Sequence, residues 1–196
     1  LFAQKVILVE GLAEQLLLSI MARYVGNSLE DNHVAVINVG GRYFNHFLHL
    51  FDELKEHTIP KRIACITDRD PERKAKDGTT YKKCYPFEFE LDEGKYDYRD
   101  NASDKIAKYE EHPNIRFFSQ SKLYGKTFEY DLILHNPTFE LLITDSTSNS
   151  NELKNLMKSY TEGKETNAIA ELLRSSDEST KIQQGVGNEA LNEDIW

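Results

Sequence analysis

The sequence predicts an α/β fold built on a parallel sheet, and three observations carry that prediction. Short apolar runs rich in β-branched residues recur at Val6–Val9, Val34–Val39 and Arg62–Thr67. Segments with apolar residues at helical spacing separate them. Acidic residues follow directly on the first and third runs, as Glu10-Gly11 and Asp68-Arg69-Asp70. Near-continuous apolar strands are buried on both faces, which is the habit of parallel sheets. Strand–helix–strand alternation implies right-handed crossovers between such strands. In open parallel sheets, ligands bind beyond the carboxyl ends of the strands, where both acidic motifs stand.

The elements follow in order. After the strand Val6–Val9, Ala13 to Tyr24 carries Leu16, Leu17, Ile20, Met21 and Tyr24 at helical spacing, with Gly26 as its stop. The second strand, Val34–Val39, ends at Gly40-Gly41, which reads as a tight exit turn and not as a dinucleotide fingerprint. Tyr43 to His57 places Phe44, Phe47, Leu48, Phe51 and Leu54 on one face of a second helix, and Pro60 ends that unit. Arg62–Thr67 is the third strand. Pro71 to Asp100 is polar and irregular, an insertion with a small hairpin, and the inserted region as a whole spans about 72–113. Ala102–Glu111 reads as a short helix capped by Asn101 or Ser103, and Ile115–Ser119 as a fourth strand. Thr127 caps a helix with Glu129 and Asp131 in its first turn. Asn151–Thr161 and Thr166–Ser175 read as helices, so residues 136–182 form a C-terminal helical extension to a core at 1–135. Residues 183–196 are a polar, loosely ordered tail.

Composition narrows the function. A chain of 196 residues with 39% hydrophobic and 29% charged residues buries a sizeable core. A net charge of −9 argues against a generic polyanion-coating protein, although a catalytic acid cluster consumes charge and local basic residues remain available. Cys65 and Cys84 give no disulfide framework, so reduced thiols in a cytoplasm are expected. No stretch is apolar enough to span a bilayer. The chain opens at Leu1-Phe2-Ala3 without Met, which reads as a domain of a longer protein.

The acidic motifs point to metal chemistry. If the first and third strands are neighbours, Glu10, Asp68 and Asp70 converge on one crevice, and Glu14 lies one helical turn beyond Glu10. Clustered carboxylates repel unless a proton or cation intervenes, and hard oxygen ligands suit Mg²⁺ or Mn²⁺. Glycine after Glu10 lets the backbone turn tightly and a ligand approach closely.

Val-Ile-Leu-Val-Glu-Gly-x-x-Glu from Val6, the glycine-ended second strand, and Ile-Thr-Asp-Arg-Asp-Pro-Glu from Ile66 together resemble a Toprim domain. This is the metal-binding module of topoisomerases, bacterial primases and several nucleases. Glu14, the Val39-Gly40-Gly41-x-x-Phe44 segment and Thr127-x-Glu129-x-Asp131-Leu132 resemble its overcoming-lysogenisation-defect (OLD) branch of nucleases. The nuclease subunit of Gabija-type phage-defence systems is a close relative of that branch. The resemblance runs from Lys5 to about Leu173. It implies a Toprim core, Rossmann-like, and DNA cleavage with two divalent ions, one helping to generate hydroxide and one stabilising the leaving oxygen. It also implies an N-terminal ABC-type ATPase half in the full-length chain.

Carried over residue by residue, the resemblance gives Glu10, Glu14, Asp68 and Asp70 as metal ligands, with Glu129 and Asp131 in the segment that supplies further acids. The spacing does not choose between those two, nor divide the ligands between ions. Lys164, in Gly163-Lys164-Glu165, resembles the family's C-terminal lysine and would stabilise charge on the cleaved phosphate. Glu10, Asp68 and Lys164 are thus the expected catalytic set. Arg69, Arg73 and Lys74, with Lys76, Lys82 and Lys83, either grip DNA phosphates or form a solvated surface. The chain is expected to act in the cytoplasm on DNA, as part of a possible homo-oligomer. The histidines lack metal-ligand spacing and read as structural or exposed. Two alternatives stay open: another Toprim activity, topoisomerase- or primase-like, and a non-catalytic phosphoacceptor receiver. The receiver needs paired acids after strand one and a lysine on a late strand, which this pattern fits poorly.

Overall fold

The structure, a computed structural model, describes residues 3–84, 86–122 and 125–136. The expected helices Asn151–Thr161 and Thr166–Ser175, the tail and Lys164 lie outside the described residues. The chain divides into two compact units, Leu1–Asp68 with Asn101–Ser119, and Arg69–Asp100 with Gln120–Trp196.

The first unit is the α/β sheet that the apolar runs require. Strands β1 (Lys5–Val9), β2 (Val34–Asn38) and β3 (Arg62–Ile66) alternate with helices α1 (Leu12–Tyr24) and α2 (Phe44–Leu48). The second unit then contributes β4 (Glu72–Ala75), β5 (Lys82–Lys83) and β6 (Tyr96–Arg99) before the chain returns to the first as α3 (Ser103–Lys108) and β7 (Ile115–Phe118). The large sheet has the order β2-β1-β3-β7, and every pairing is parallel. In the register, Val9 stands opposite Asn38 on one side and Ile66 on the other. The three strands therefore end level, and the residues after β1 and β3 leave the sheet together.

One face of the sheet carries the core. Val6, Leu8, Ile63, Cys65, Ile115 and Phe117 pack there with Val39, Phe44 and Leu48, and Ile106 and Tyr109 lean against them. The Phe44 and Phe117 rings meet edge to face at 5.4 Å. Burying a side chain such as Leu8 or Phe44 contributes roughly 1.5–3 kcal/mol, so this layer fixes the strand exits. Helix α1 sits against β1 and β2, ending as expected at Gly26, whose positive φ of 79° suits a C-terminal glycine. Its Leu16, Ile20 and Tyr24 remain exposed among the described residues, and its one fully buried side chain is Glu14.

Two elements are shorter than the spacing predicts. The helix expected over Tyr43–His57 stops at Leu48. Beyond it the chain continues in local turns, with Ile59 N donating to Leu50 O at 2.8 Å and Leu54 N to Asp52 Oδ1 at 3.1 Å, while Asn114 Nδ2, distant in sequence, donates to Phe51 O at 2.7 Å. The helix expected over Ala102–Glu111 spans only Ser103–Lys108 and has no side-chain cap.

The second unit holds an antiparallel sheet of order β5-β4-β6. This is the expected hairpin with a third strand added. Residues 72–100 of the expected insertion belong to this unit and 101–113 to the first. Helix α4 (Phe128–His135) starts as Thr127 predicts, because Tyr130 N donates to Thr127 Oγ1 at 3.2 Å.

Candidate functional site

The strand ends of the first unit assemble a polar cluster around Glu10. Leaving β1 beside the end of β3, its carboxylate Oε1 accepts the hydroxyl proton of Thr67, in a short contact, and the Asp68 N–H at 3.3 Å. Thr67 is buried, so its hydroxyl has no water to bond and is committed to this contact. The backbone of Glu10 is also tied. Its carbonyl accepts the Gly41 N–H at 2.8 Å, and Gly40 N donates to Asn38 Oδ1 at 2.7 Å. That turn needs φ of 73° at Gly40 and 114° at Gly41, which explains the glycine pair at the end of the second strand.

Glu14 is buried in the first turn of α1 and folds back over Gly11. A Cβ built on Gly11 would come 2.7 Å from Glu14 Oε2. The space in front of Gly11 is thus filled by a carboxylate that any larger residue displaces. Glu10 and Asp68, at the exits of β1 and β3, and Glu14, in the first turn of α1, are hard oxygen donors, and that donor chemistry fits a divalent cation such as Mg²⁺ or Mn²⁺. Among the described residues, no three His, Cys, Asp or Glu side chains stand together as a finished metal cage.

Sequence reasoning missed three members of this cluster. Asn101, read as a helix cap, instead turns its amide to the strand ends, with Nδ2 2.9 Å from Thr67 Oγ1 and 3.1 Å from Asp68 O. Lys105 donates to Asn101 Oδ1 at 2.6 Å. Thr67 was visible only as the last residue of an apolar run. A polar residue closing such a run, directly before an acid, is the one signal the sequence offered.

The second unit holds the other expected residues. Asp70 is buried with a positive φ of 45°, an uncommon conformation for a side chain other than glycine. Its N–H and that of Arg69 both donate to Lys126 O, at 3.1 and 3.0 Å. The Lys126 N–H in turn donates to Asp131 Oδ1 at 3.3 Å. Burial pushes the Asp131 carboxyl up to about 6, against the opposing pull of that backbone N–H and of His135. Glu129 sits half-buried in the same first turn.

Arg69 does not present its charge to solvent. Its guanidinium is buried, 2.8 Å from Asp100 Oδ2, and its Nε donates to Gln120 O at 3.1 Å. A buried ion pair thus engages the Arg69 side chain that the sequence offered for phosphate. Arg73 pairs with Glu88 at 3.0 Å and lies over the Tyr96 ring, and Lys74 pairs with Asp97 at 3.2 Å. Burial pushes the thiols of Cys65 and Cys84 up to about 12, which keeps both in the protonated, weakly nucleophilic form at neutral pH. His112 is structural, as expected: Nδ1 accepts the N–H of Ile115 at 3.2 Å, which leaves Nε2 to donate to Asp52 at 3.1 Å.

Residues 1–70 match the family model for the overcoming lysogenization defect protein-like TOPRIM domain. The C-terminal region of the Xanthomonas campestris pv. campestris OLD protein, phased with mercury, is 20% identical with a TM-score of 0.49, covering 96% of this chain and 83% of that one. The C-terminal region of the Burkholderia pseudomallei OLD protein is 17% identical with a TM-score of 0.45, covering 97% and 86%. No curated protein matches the chain.

Proposed function

We propose that this chain, whose residues 1–70 match the OLD-like Toprim family model, is a nuclease that cleaves DNA with the help of a divalent metal ion. Toprim domains generally bind divalent metals. The observation that carries the reading is Glu10: a carboxylate fastened by Thr67 and Asp68 at the exit of buried strands, with Glu14 folded over the next residue, Gly11. Such fastening sets the donor geometry before any ligand arrives, which lowers the cost of binding one.

Glu10, Glu14 and Asp68 are the proposed oxygen ligands of the first unit, for Mg²⁺ or Mn²⁺. Asp70, Glu129 and Asp131 are the acidic candidates of the second. When bound, the cation polarises a phosphate oxygen and lowers the pKa of bound water. The residues themselves supply the oxygen donors, and the bonds from Thr67 and the Asp68 N–H orient that of Glu10. Lys164 is proposed to stabilise charge on the cleaved phosphate. Lys74 and Arg73 remain proposed phosphate contacts, each giving up an internal ion pair on binding DNA. An ATPase half in the full-length protein, a cytoplasmic setting and a role in phage defence belong to the same proposal.

Nicking of supercoiled plasmid with Mg²⁺, Mn²⁺ or EDTA tests it. Cleavage is expected with metal and not with EDTA, and Asp68→Ala should abolish it while circular dichroism stays unchanged. A folded Asp68→Ala protein that cleaves as wild type removes the site.

A further inference from the structure

Asn101 lies far from the acidic motifs in sequence, yet it closes the cluster at the strand ends. The orientation of its amide follows from its neighbour. Lys105 Nζ is 2.6 Å from Asn101 Oδ1, and an ammonium group only donates, so Oδ1 faces Lys105 and the NH₂ group faces the strands. Lys105 is itself steadied over the Phe44 ring, 5.8 Å from its centroid. From the other end of the amide, Nδ2 donates to Thr67 Oγ1 at 2.9 Å and Asp68 O at 3.1 Å, with Glu10 Oε1 at 3.5 Å. Thr67 then has one proton left to give, and it goes to Glu10 Oε1.

Every donor in this chain points the same way: ammonium to amide, amide to hydroxyl, hydroxyl to carboxylate. Linked bonds of one direction polarise each other and strengthen together in a buried setting. Their combined effect is to hold one oxygen of Glu10. Among the described residues no hydrogen bond reaches the other oxygen, Oε2.

We infer that Asn101 is a positioning residue. Acting with Lys105 through Thr67, it locks Glu10 by Oε1 so that Oε2 is presented to a divalent cation. The assignment rests on the metal-site reading above for the identity of the ligand; the clamp itself is a property of the metal-free protein. Outer groups that orient a ligating carboxylate typically change metal affinity by about 10- to 100-fold when removed.

Two measurements on the whole chain test this separately. In the metal-free protein, the Asn101 side-chain NH₂ should give a resolved, exchange-protected NMR signal that Thr67→Val weakens. A freely exchanging Asn101 amide overturns the clamp. With Mn²⁺ as probe, electron paramagnetic resonance should show affinity reduced on the order of tenfold in Asn101→Ala, with circular dichroism unchanged. Should Asn101→Ala not fold, Thr67→Val must show the same loss and Thr67→Ser must restore binding by returning the hydroxyl. Mn²⁺ affinity that these variants leave unaltered overturns the positioning role while the metal site stands. A protected Asn101 amide in a wild-type protein that binds no Mn²⁺ removes the metal site while the clamp stands.

Discussion

Gly11→Ala should separate the fold of α1 from the chemistry at its start. Gly11 has φ −129° and ψ 174°, extended values that alanine adopts without strain. The effect therefore comes from the new methyl group, which would lie 2.7 Å from Glu14 Oε2. Relief to an ordinary contact requires the carboxylate oxygen to move by roughly 0.5 Å or more, or the side chain to change rotamer, at about 0.5–1.5 kcal/mol. Alanine also loses unfolded-state entropy, worth about 0.4–1 kcal/mol in its favour, but is a poorer N-cap than glycine by a similar amount. The last two effects offset, so stability should fall by about 0.5–1.5 kcal/mol, the cost of moving the Glu14 side chain. Metal binding is far less tolerant, because Mg²⁺–oxygen distances are held to about ±0.2 Å. Mn²⁺ affinity should fall on the order of tenfold while the melting temperature drops by only a few degrees.

Isothermal titration with Mn²⁺ and a thermal melt on the same sample read both quantities. Glu14 also stands at the third helical position, where a glutamate folding back can serve as a cap. Glutamine serves that capping role as well, so Glu14→Gln should melt near wild type yet lose Mn²⁺ affinity, and the double variant should lose little more. A folded Gly11→Ala protein with wild-type Mn²⁺ affinity would refute the placing of Glu14 among the ligands.

Three further outcomes are expected. The Asp131 carboxyl rises from 3.8 to about 6 in the folded state, so folding takes up a proton between those values and stability falls as pH rises through them; Asp131→Asn, which keeps an acceptor for the Lys126 N–H, should melt higher than wild type at pH 7.5 and equal to it near pH 4. The ceiling on that gain is about 3 kcal/mol, reduced by water reaching this half-buried group, and a variant no more stable at pH 7.5 contradicts the burial argument. Asp100→Ala removes the carboxylate paired with the buried Arg69 and should cost about 3–5 kcal/mol, whereas Asp97→Ala, opposite the more exposed Lys74, should cost at most about 1 kcal/mol; chemical denaturation distinguishes the two. Lys164→Ala should slow plasmid cleavage about a hundredfold at saturating Mn²⁺, with Mn²⁺ affinity retained, and a rate within about threefold of wild type would make it an ordinary surface lysine.

The sheet and its acidic exits were legible because they depend on local pattern. Val6–Val9 and Ile63–Thr67 are apolar on both faces, and neighbouring parallel strands in level register bring Glu10 beside Thr67 without further information. Gly40-Gly41 and Thr127 were legible because positive φ and helix capping are demands of the backbone itself. What escaped depends on partners distant in sequence. The spacing from Tyr43 to His57 is helical, but Asn114 takes the Phe51 carbonyl and the helix ends at Leu48. Asn101 resembles a cap in sequence, and only the fold turns its amide towards Glu10. Arg69 reads as a free cation between two aspartates until Asp100, thirty-one residues on, buries it. Polar residues with tertiary partners carry no periodicity, so pattern alone assigns them to caps and surfaces.

The central claim is that the carboxylates leaving β1 and β3 hold a divalent cation. Titration of Mn²⁺ into the wild-type chain and into Glu10→Gln, followed by calorimetry, tests it most directly. Saturable binding that EDTA reverses is expected in wild type, together with a rise in melting temperature as Mn²⁺ increases. Glu10→Gln, which keeps the side chain's shape and its bond to Thr67 but removes the charge, should bind on the order of tenfold more weakly or worse. Wild-type protein that takes up no Mn²⁺, or a Glu10→Gln variant that binds it equally well, contradicts the claim.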